Sequence, residues 1–506
     1  MEHTPASSSF QEGQSQLEVS RAASEMKKTV VLYPGLGAGH LMPMIELAKV
    51  FVQHGVAVTV ALVKPPLDLE ALDFSAVIAR AASSNPSISF HVLPPATTSD
   101  SGSGDGRRRK YYVLEMVDCL KAMNAPLRDF LRSLPAVDAL VIDMFCPDAL
   151  DVAAELRLPV YYSYASCAGD LAVFLHLGFN QDTYAASIDA GGDATLSFPG
   201  APPFKASDLP GVVDSDPEAA MAILQTLHRM AASDGIVVNT FVELETRAVR
   251  ALRDGLCVPG RATPPVYCIG PLVSGSGGGG EMEHECLRWL DTQPDSSVVF
   301  LCFGSLGTFS ERQLKEVAVG LERSEQRFLW VVRTPRTVDD ELAVGAGKAL
   351  SEPDLGALLP DGFLERTNGR GLVVKCWAPQ VDVLRHRAAG AFVTHCGWNS
   401  TLEGITAGLP LLCWPMYAEQ KMNKVFIVQE MKLGVEMRGY DGEVVAAGEV
   451  ETKVKWVMES EGGRALRERA AAAKDAAAKA MIREGGSSHA DFIRFLQGLD
   501  NISSRS

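Results

Sequence analysis

Residues 377–420 read WAPQVDVLRHRAAGAFVTHCGWNSTLEGITAGLPLLCWPMYAEQ, and the fold can be read outward from them. Three short apolar runs each end in a polar cluster. Gly371-Leu-Val-Val-Lys-Cys376 ends in Trp-Ala-Pro-Gln, Gly390-Ala-Phe-Val-Thr394 in His-Cys-Gly-Trp-Asn-Ser, and Leu409-Pro-Leu-Leu-Cys413 in Trp-Pro-Met-Tyr-Ala-Glu-Gln. Each run has the length and composition of a buried strand, and helical patterns begin at about Gln380, Ser400 and Glu419. The clusters therefore fall where strands end and helices start, which is where open α/β sheets bind ligands.

The residue types suit a nucleotide diphosphate. Trp377 offers a flat face on which a base can stack, worth roughly 1–3 kcal/mol. The turn from His395 to Ser400 would aim backbone N–H groups, the Asn399 amide and the Ser400 hydroxyl at phosphate oxygens, helped by the helix dipole. Glu403, one turn further, could hold two ribose hydroxyls. Simpler roles exist for single residues: Ser400-Thr-Leu-Glu403 is also a capping box, Glu419 suits a helix start on dipole grounds alone, and Trp398 and Trp414 suit a core. Three clusters at successive strand ends favour the ligand.

This stretch closely resembles the C-terminal signature box of plant family 1 UDP-sugar glycosyltransferases, over its whole span and ending in Gln as in the glucose-using members. The resemblance implies an α/β GT-B fold, two Rossmann-like domains facing a cleft, with UDP-glucose as co-substrate and no other cofactor. It implies that Trp377 stacks on uracil beside backbone contacts from Ala378, and that Gln380 and Glu403 bind the ribose. His395, Asn399 and Ser400 would hold the diphosphate, Glu419 and Gln420 the sugar hydroxyls. Trp398 and Tyr417 complete the donor-binding set. Gln420 points to glucose, where His would point to galactose.

Composition agrees with such a role. A chain of 506 residues is too long for one ordinary domain, and 47% hydrophobic residues can fill two cores. The formal net charge of −15 argues against nucleic acid or an anionic membrane as partner. Ten cysteines, scattered through apolar runs without a C-x-x-C pair, read as buried thiols in a reducing compartment. No apolar run reaches the ~18 residues of a membrane span and the N-terminus is polar, so a cytoplasmic protein is expected, and a monomer.

Residues 1–26 lack periodicity and read as a disordered extension. Lys28 to Tyr33 reads as a strand, followed by Pro34-Gly-Leu-Gly-Ala-Gly-His40 and a helix from Leu41 to His54. A dinucleotide site is the obvious rival, but His40 stands where the third glycine of G-x-G-x-x-G belongs. Lys64 also follows the next strand, where a ribose-binding acid is expected. His40 is the candidate general base. Its helix N-terminus should lower its pKa and keep it neutral, although a helix-capping role is open on position alone. The strand Asp138 to Phe145 ends near Asp143, in the layer of His40 if the sheet is parallel. By resemblance, His40 takes the catalytic position and Asp143 orients it, in the logic of a catalytic triad with the acceptor hydroxyl replacing Ser.

The remaining chain supplies context. Arg107-Arg-Arg-Lys110 reads as a solvated basic loop. Residues 161–216 look irregular, and their aromatics (Tyr162, Tyr164, Phe174, Phe179, Tyr184, Phe198, Phe204) read as the wall of an apolar acceptor pocket. Asp214-Ser-Asp216 resembles a metal-binding D-x-D, but Asp216 before Pro217 is more simply an N-cap, so no metal is expected. A glycine-rich linker within 272–282 separates a first domain, 27–271, from a second, 283–484. The second opens with another strand and glycine turn, Ser297 to Gly307, in which Ser305 is a second candidate phosphate donor. Residues 334–358 read as a polar insertion. Residues 485–506 carry a last helix that, by resemblance, crosses back to the first domain.

The expected activity is inverting transfer of glucose to a hydroxyl of a small phenolic acceptor, such as a flavonoid. Rivals are another UDP-sugar, a terpenoid or hormone acceptor, an epimerase or phosphorylase, and a binding protein without turnover. The last has no use for His40 and Asp143.

Overall fold

The computed structural model describes residues 28–65, 75–96, 112–180, 183–184, 194–210, 217–275, 284–335 and 352–503. The N-terminal extension, the basic run 107–110, Asp214 and Asp216, and most of the linker and of the 334–358 insertion lie outside them.

Runs of Val, Ile, Leu and Phe without alternation can face water on neither side, so they become parallel strands covered on both faces. The first part of the chain supplies β1 (Thr29–Tyr33), β2 (Ala57–Leu62), β3 (Ile88–Val92), β4 (Ala139–Asp143) and β5 (Val160–Tyr164). A two-stranded pair, β6 (Thr195–Leu196) and β7 (Phe204–Lys205), precedes β8 (Gly235–Val238) and β9 (Val266–Cys268). Seven strands form one parallel sheet in the order β3-β2-β1-β4-β5-β8-β9. The second part supplies β10 (Val298–Cys302), β11 (Arg327–Val332), β12 (Gly371–Lys375), β13 (Ala389–Thr394), β14 (Leu411–Cys413) and β15 (Gly434–Glu436). These are again all parallel, in the order β12-β11-β10-β13-β14-β15. The expected pair of Rossmann-like units is present. In each sheet the chain moves outward from its first strand and then restarts on that strand's other side. The ligand crevices therefore lie between β1 and β4 and between β10 and β13.

Helices leave the ends of these strands: α1 (Ala38–Gln53) after β1, α2 (Ala149–Leu156) after β4, α3 (Ala168–Phe179) after β5 and α4 (Glu311–Ser324) after β10. They continue with α5 (Gln380–Arg385) after β12, α6 (Trp398–Ala407) after β13 and α7 (Gln420–Val425) after β14. The last, α8 (Ser487–Ser503), returns to the first sheet. There Phe492, Phe495 and Leu499 join a core with Phe51, Tyr161 and Tyr267.

Residues 161–216 are less irregular than expected, since they open with most of β5 and the whole of α3. Tyr162, Tyr164 and Phe174 are buried in the core, and Tyr184, Phe198 and Phe204 stack in a row at 4.6 and 5.4 Å. These rings pack the domain instead of lining an open wall. A strand of aromatics and a helix buried nearly all round carry neither the alternation nor the one-sided stripe by which such elements are recognised.

Candidate active site

The first crevice holds His40 and Asp143. Backbone and side chain meet closely there: a Cβ on Gly35 would lie 2.6 Å from Asp143 Oδ1, so only glycine lets the turn after β1 pass. Gly37, at φ 98°, then starts α1 and brings in His40 in its first turn. His40 Nδ1 lies 2.9 Å from Asp143 Oδ2, and the other carboxylate oxygen accepts from the Phe145 N–H at 2.9 Å. A carboxylate facing Nδ1 holds the proton on that nitrogen and leaves the Nε2 lone pair to accept another.

The expected fall in the His40 pKa is not found. Burial pulls it down, but the Asp143 carboxylate, by charge and hydrogen bond, and Glu419 outweigh burial, and the net direction is upward from 6.5. The helix start is overruled by a carboxylate in contact. A general base is competent only when neutral, so with His40 in that role we expect kcat/KM to fall on the acid side with a midpoint above that of free histidine. In Asp143→Asn, a pH–rate profile should show that midpoint moved to lower pH, because burial is then opposed only by Glu419. The same shift makes His40 contribute stability that is fully present below about pH 6.5 and lost as pH rises through the folded value.

The second crevice gathers the residues of the 377–420 stretch. Trp377 is 57% exposed, with the His284 ring at 5.8 Å in an edge-to-face arrangement, and it follows Cys376, held at φ 62°. Ala378 is buried behind it. Gln380 opens α5, and its Nε2 donates both to Ser400 Oγ at 2.9 Å and to Glu403 Oε2 at 2.6 Å. The capping box is therefore not formed: α6 begins at Trp398 with Gly397 as its cap, and Ser400 and Glu403 turn to Gln380. Burial pushes the Glu403 carboxyl up to about 7. His395 is wedged between two glycines, since a Cβ on Gly304 or on Gly397 would come within 2.5 Å of its Nε2. Burial, then the charge of Arg333, lower its pKa to about 4, so it is neutral. Ser305 is exposed on the turn after β10.

Trp398 does not present its ring to this crevice. The indole is buried and donates to the Asn239 carbonyl at 2.7 Å, tying α6 to the first domain. Gln420 is buried, with Oε1 accepting from the N–H groups of Met416 and Tyr417 at 3.0 Å each. Glu419 Oε1 accepts from Ser166 Oγ at 3.3 Å and from Asn423 Nδ2 at 3.2 Å.

These contacts bring the two crevices face to face. Asn399 Nδ2 donates to the Gly39 carbonyl at 3.0 Å. That carbonyl is free because Pro43, four residues on in α1, has no N–H to offer it. Beside the turn before His40 a cavity of about 170 Å³ is walled by Leu36, Leu41, Leu62, Val63, Ile78 and Val92. That is room for about one aromatic ring. Sequence reading missed Ser166 and Arg333. Arg333 was within reach, because a polar residue at a strand's end is the signal that singled out Asp143. Ser166, 253 positions from Glu419, left none.

Two Rossmann-like domains facing a cleft, each with its own crevice, are the GT-B architecture of glycosyltransferases. Residues 278–467 match the family model described as UDP-glucoronosyl and UDP-glucosyl transferase. The chain is 41% identical over 482 residues to an anthocyanidin 5,3-O-glucosyltransferase of a Rosa hybrid cultivar, covering 92% of this chain and 98% of that one. It is 40% identical over 479 residues to isoflavone 7-O-glucosyltransferase 1 of Glycine max, with the same coverages of 92% and 98%. The Phytolacca americana UGT2 structure, complexed with UDP-2fluoro-glucose and pterostilbene, superposes with a TM-score of 0.80 at 33% identity, covering 94% of this chain and all of that one. The chain belongs to the UDP-glycosyltransferase family.

Trp377→Ala should weaken UDP binding by about 5- to 150-fold, the equivalent of 1–3 kcal/mol of stacking, and calorimetry with UDP checks it.

Proposed function

We propose that this enzyme transfers glucose from UDP-glucose to a hydroxyl of a small phenolic metabolite, flavonoids foremost, as a cytosolic monomer. The observation that carries the reading is the His40–Asp143 contact at 2.9 Å. The acceptor oxygen attacks the anomeric carbon as its proton passes to His40 Nε2. The bond from that carbon to the UDP oxygen breaks, and its electron pair leaves on the diphosphate. A single displacement turns the α-linked donor into a β-O-glucoside. Trp377 and the Ala378 backbone hold uracil, Gln380 and Glu403 the ribose, Glu419 and Gln420 the glucose, with Tyr417 beside them. The leaving charge meets His395, Asn399, Ser400 and the backbone at the start of α6, and Ser305 from the facing turn. The scheme uses no metal. The rose and soybean relatives, named for anthocyanidin and isoflavone acceptors, support a flavonoid-type acceptor.

The test is incubation with UDP-glucose and a panel of flavonoids, simple phenols, terpenoids and hormones, with chelator present, and analysis of products by mass. A hexose adduct on phenolics under chelation is the expected result. Adducts confined to terpenoids or hormones would move the acceptor class, and UDP-glucose binding without any adduct would sink the transfer reading.

A further inference from the structure

Arg333 directly follows β11, which lies between β10 and β12 in the sheet. Its guanidinium donates to two backbone carbonyls at once, through Nη1 to Gly304 and through Nε to Cys376, the latter at 3.0 Å. Gly304, at φ 72°, opens the turn that carries Ser305, and Cys376, at φ 62°, presents Trp377. The Gly304 backbone also packs on the His395 ring. One cation thus touches the backbone under the uracil platform and the backbone beside the phosphate turn, and its charge reaches His395.

The charge balance of the site needs such a group. The diphosphate bears at least two negative charges, and the chain as a whole is −15. His395 is neutral, Asn399, Ser400 and Ser305 are neutral, and a helix start supplies only about half an elementary charge. Among the described residues Arg333 is bonded to carbonyls and to no carboxylate, so none of them cancels its charge by contact. Arginine fits where lysine would not, because its planar fork can grip two carbonyls together and is always charged.

We propose that Arg333 is the fixed cation of the donor site: a positioning residue that holds the uracil platform and the phosphate turn in one frame and supplies the positive charge against which UDP departs. This rests on the donor-site reading above. The test compares UDP with uridine, which share the base and ribose and differ in charge, by calorimetry on the wild type, Arg333→Gln and Arg333→Lys, with thermal unfolding as a check of the fold. In Arg333→Gln, UDP should weaken by roughly tenfold more than uridine does. In Arg333→Lys, which keeps charge and loses the fork, uridine should weaken while the UDP-to-uridine ratio stays near that of the wild type. Equal weakening of both ligands in Arg333→Gln reduces Arg333 to a brace and overturns the charge role. If that variant does not fold, a collapsed ratio in Arg333→Lys overturns it equally. A wild type that binds neither ligand fails the donor-site reading itself, a result distinct from both.

Discussion

His40→Ala lowers kcat by about 10²- to 10⁴-fold near pH 7, the usual worth of a positioned general base, while UDP affinity measured by calorimetry is unchanged. The size of the effect follows from the acceptor. A phenol that titrates near pH 10, as tyrosine does, is ionised in only about one molecule in a thousand at pH 7. Nearly every productive encounter therefore needs a group to take the proton. The imidazole is held at 2.9 Å by Asp143, and an alanine side chain carries no group that can take the proton. The same reasoning fixes the pH dependence of the defect: as pH approaches 10 the acceptor ionises unaided, so the ratio of wild-type to variant rates shrinks. Near-normal turnover at pH 7 by a correctly folded His40→Ala protein would remove the base from the mechanism.

Phe495→Ala costs about 3–5 kcal/mol of stability, the range for deleting a buried phenylalanine side chain. Its ring is fully buried, with centroids 4.6 Å from Tyr161, 5.4 Å from Tyr267 and 5.6 Å from Phe51. Those three rings belong to the first domain, so a denaturant titration should show the loss in the unfolding of that domain. A midpoint unmoved by the substitution would mean that α8 does not hold the first sheet's core together.

Much of this architecture was legible because the signals are local. Each strand is a short apolar run and each glycine turn lies next to its helix, so both Rossmann-like units and the contents of 377–420 can be read from neighbouring residues. The pairing of His40 with Asp143, 103 positions apart, needed the assumption of a parallel sheet or the family resemblance. What failed depended on distances that no spacing encodes. The direction of the His40 pKa is decided by how near Asp143 and Glu419 approach, and the helix start alone indicates the opposite sign. Ser400 and Glu403 look like a capping box until Gln380, 20 and 23 positions away, claims both. The bond from Asn399 to Gly39 rests on a hydrogen that Pro43 lacks, and a donor's absence in one helix says nothing about which residue of another will use the acceptor it frees.

The return of α8 to the first sheet has a consequence in time. During synthesis β1 to β9 emerge first, yet Phe51, Tyr161 and Tyr267 obtain their covering rings only when Phe492 and Phe495 appear. At roughly 5–20 residues per second the nascent first domain waits about 10–45 s with that apolar face uncovered. Over that interval the uncovered face is open to aggregation and to chaperones, and a chain that ends within the second domain lacks the rings that cover it.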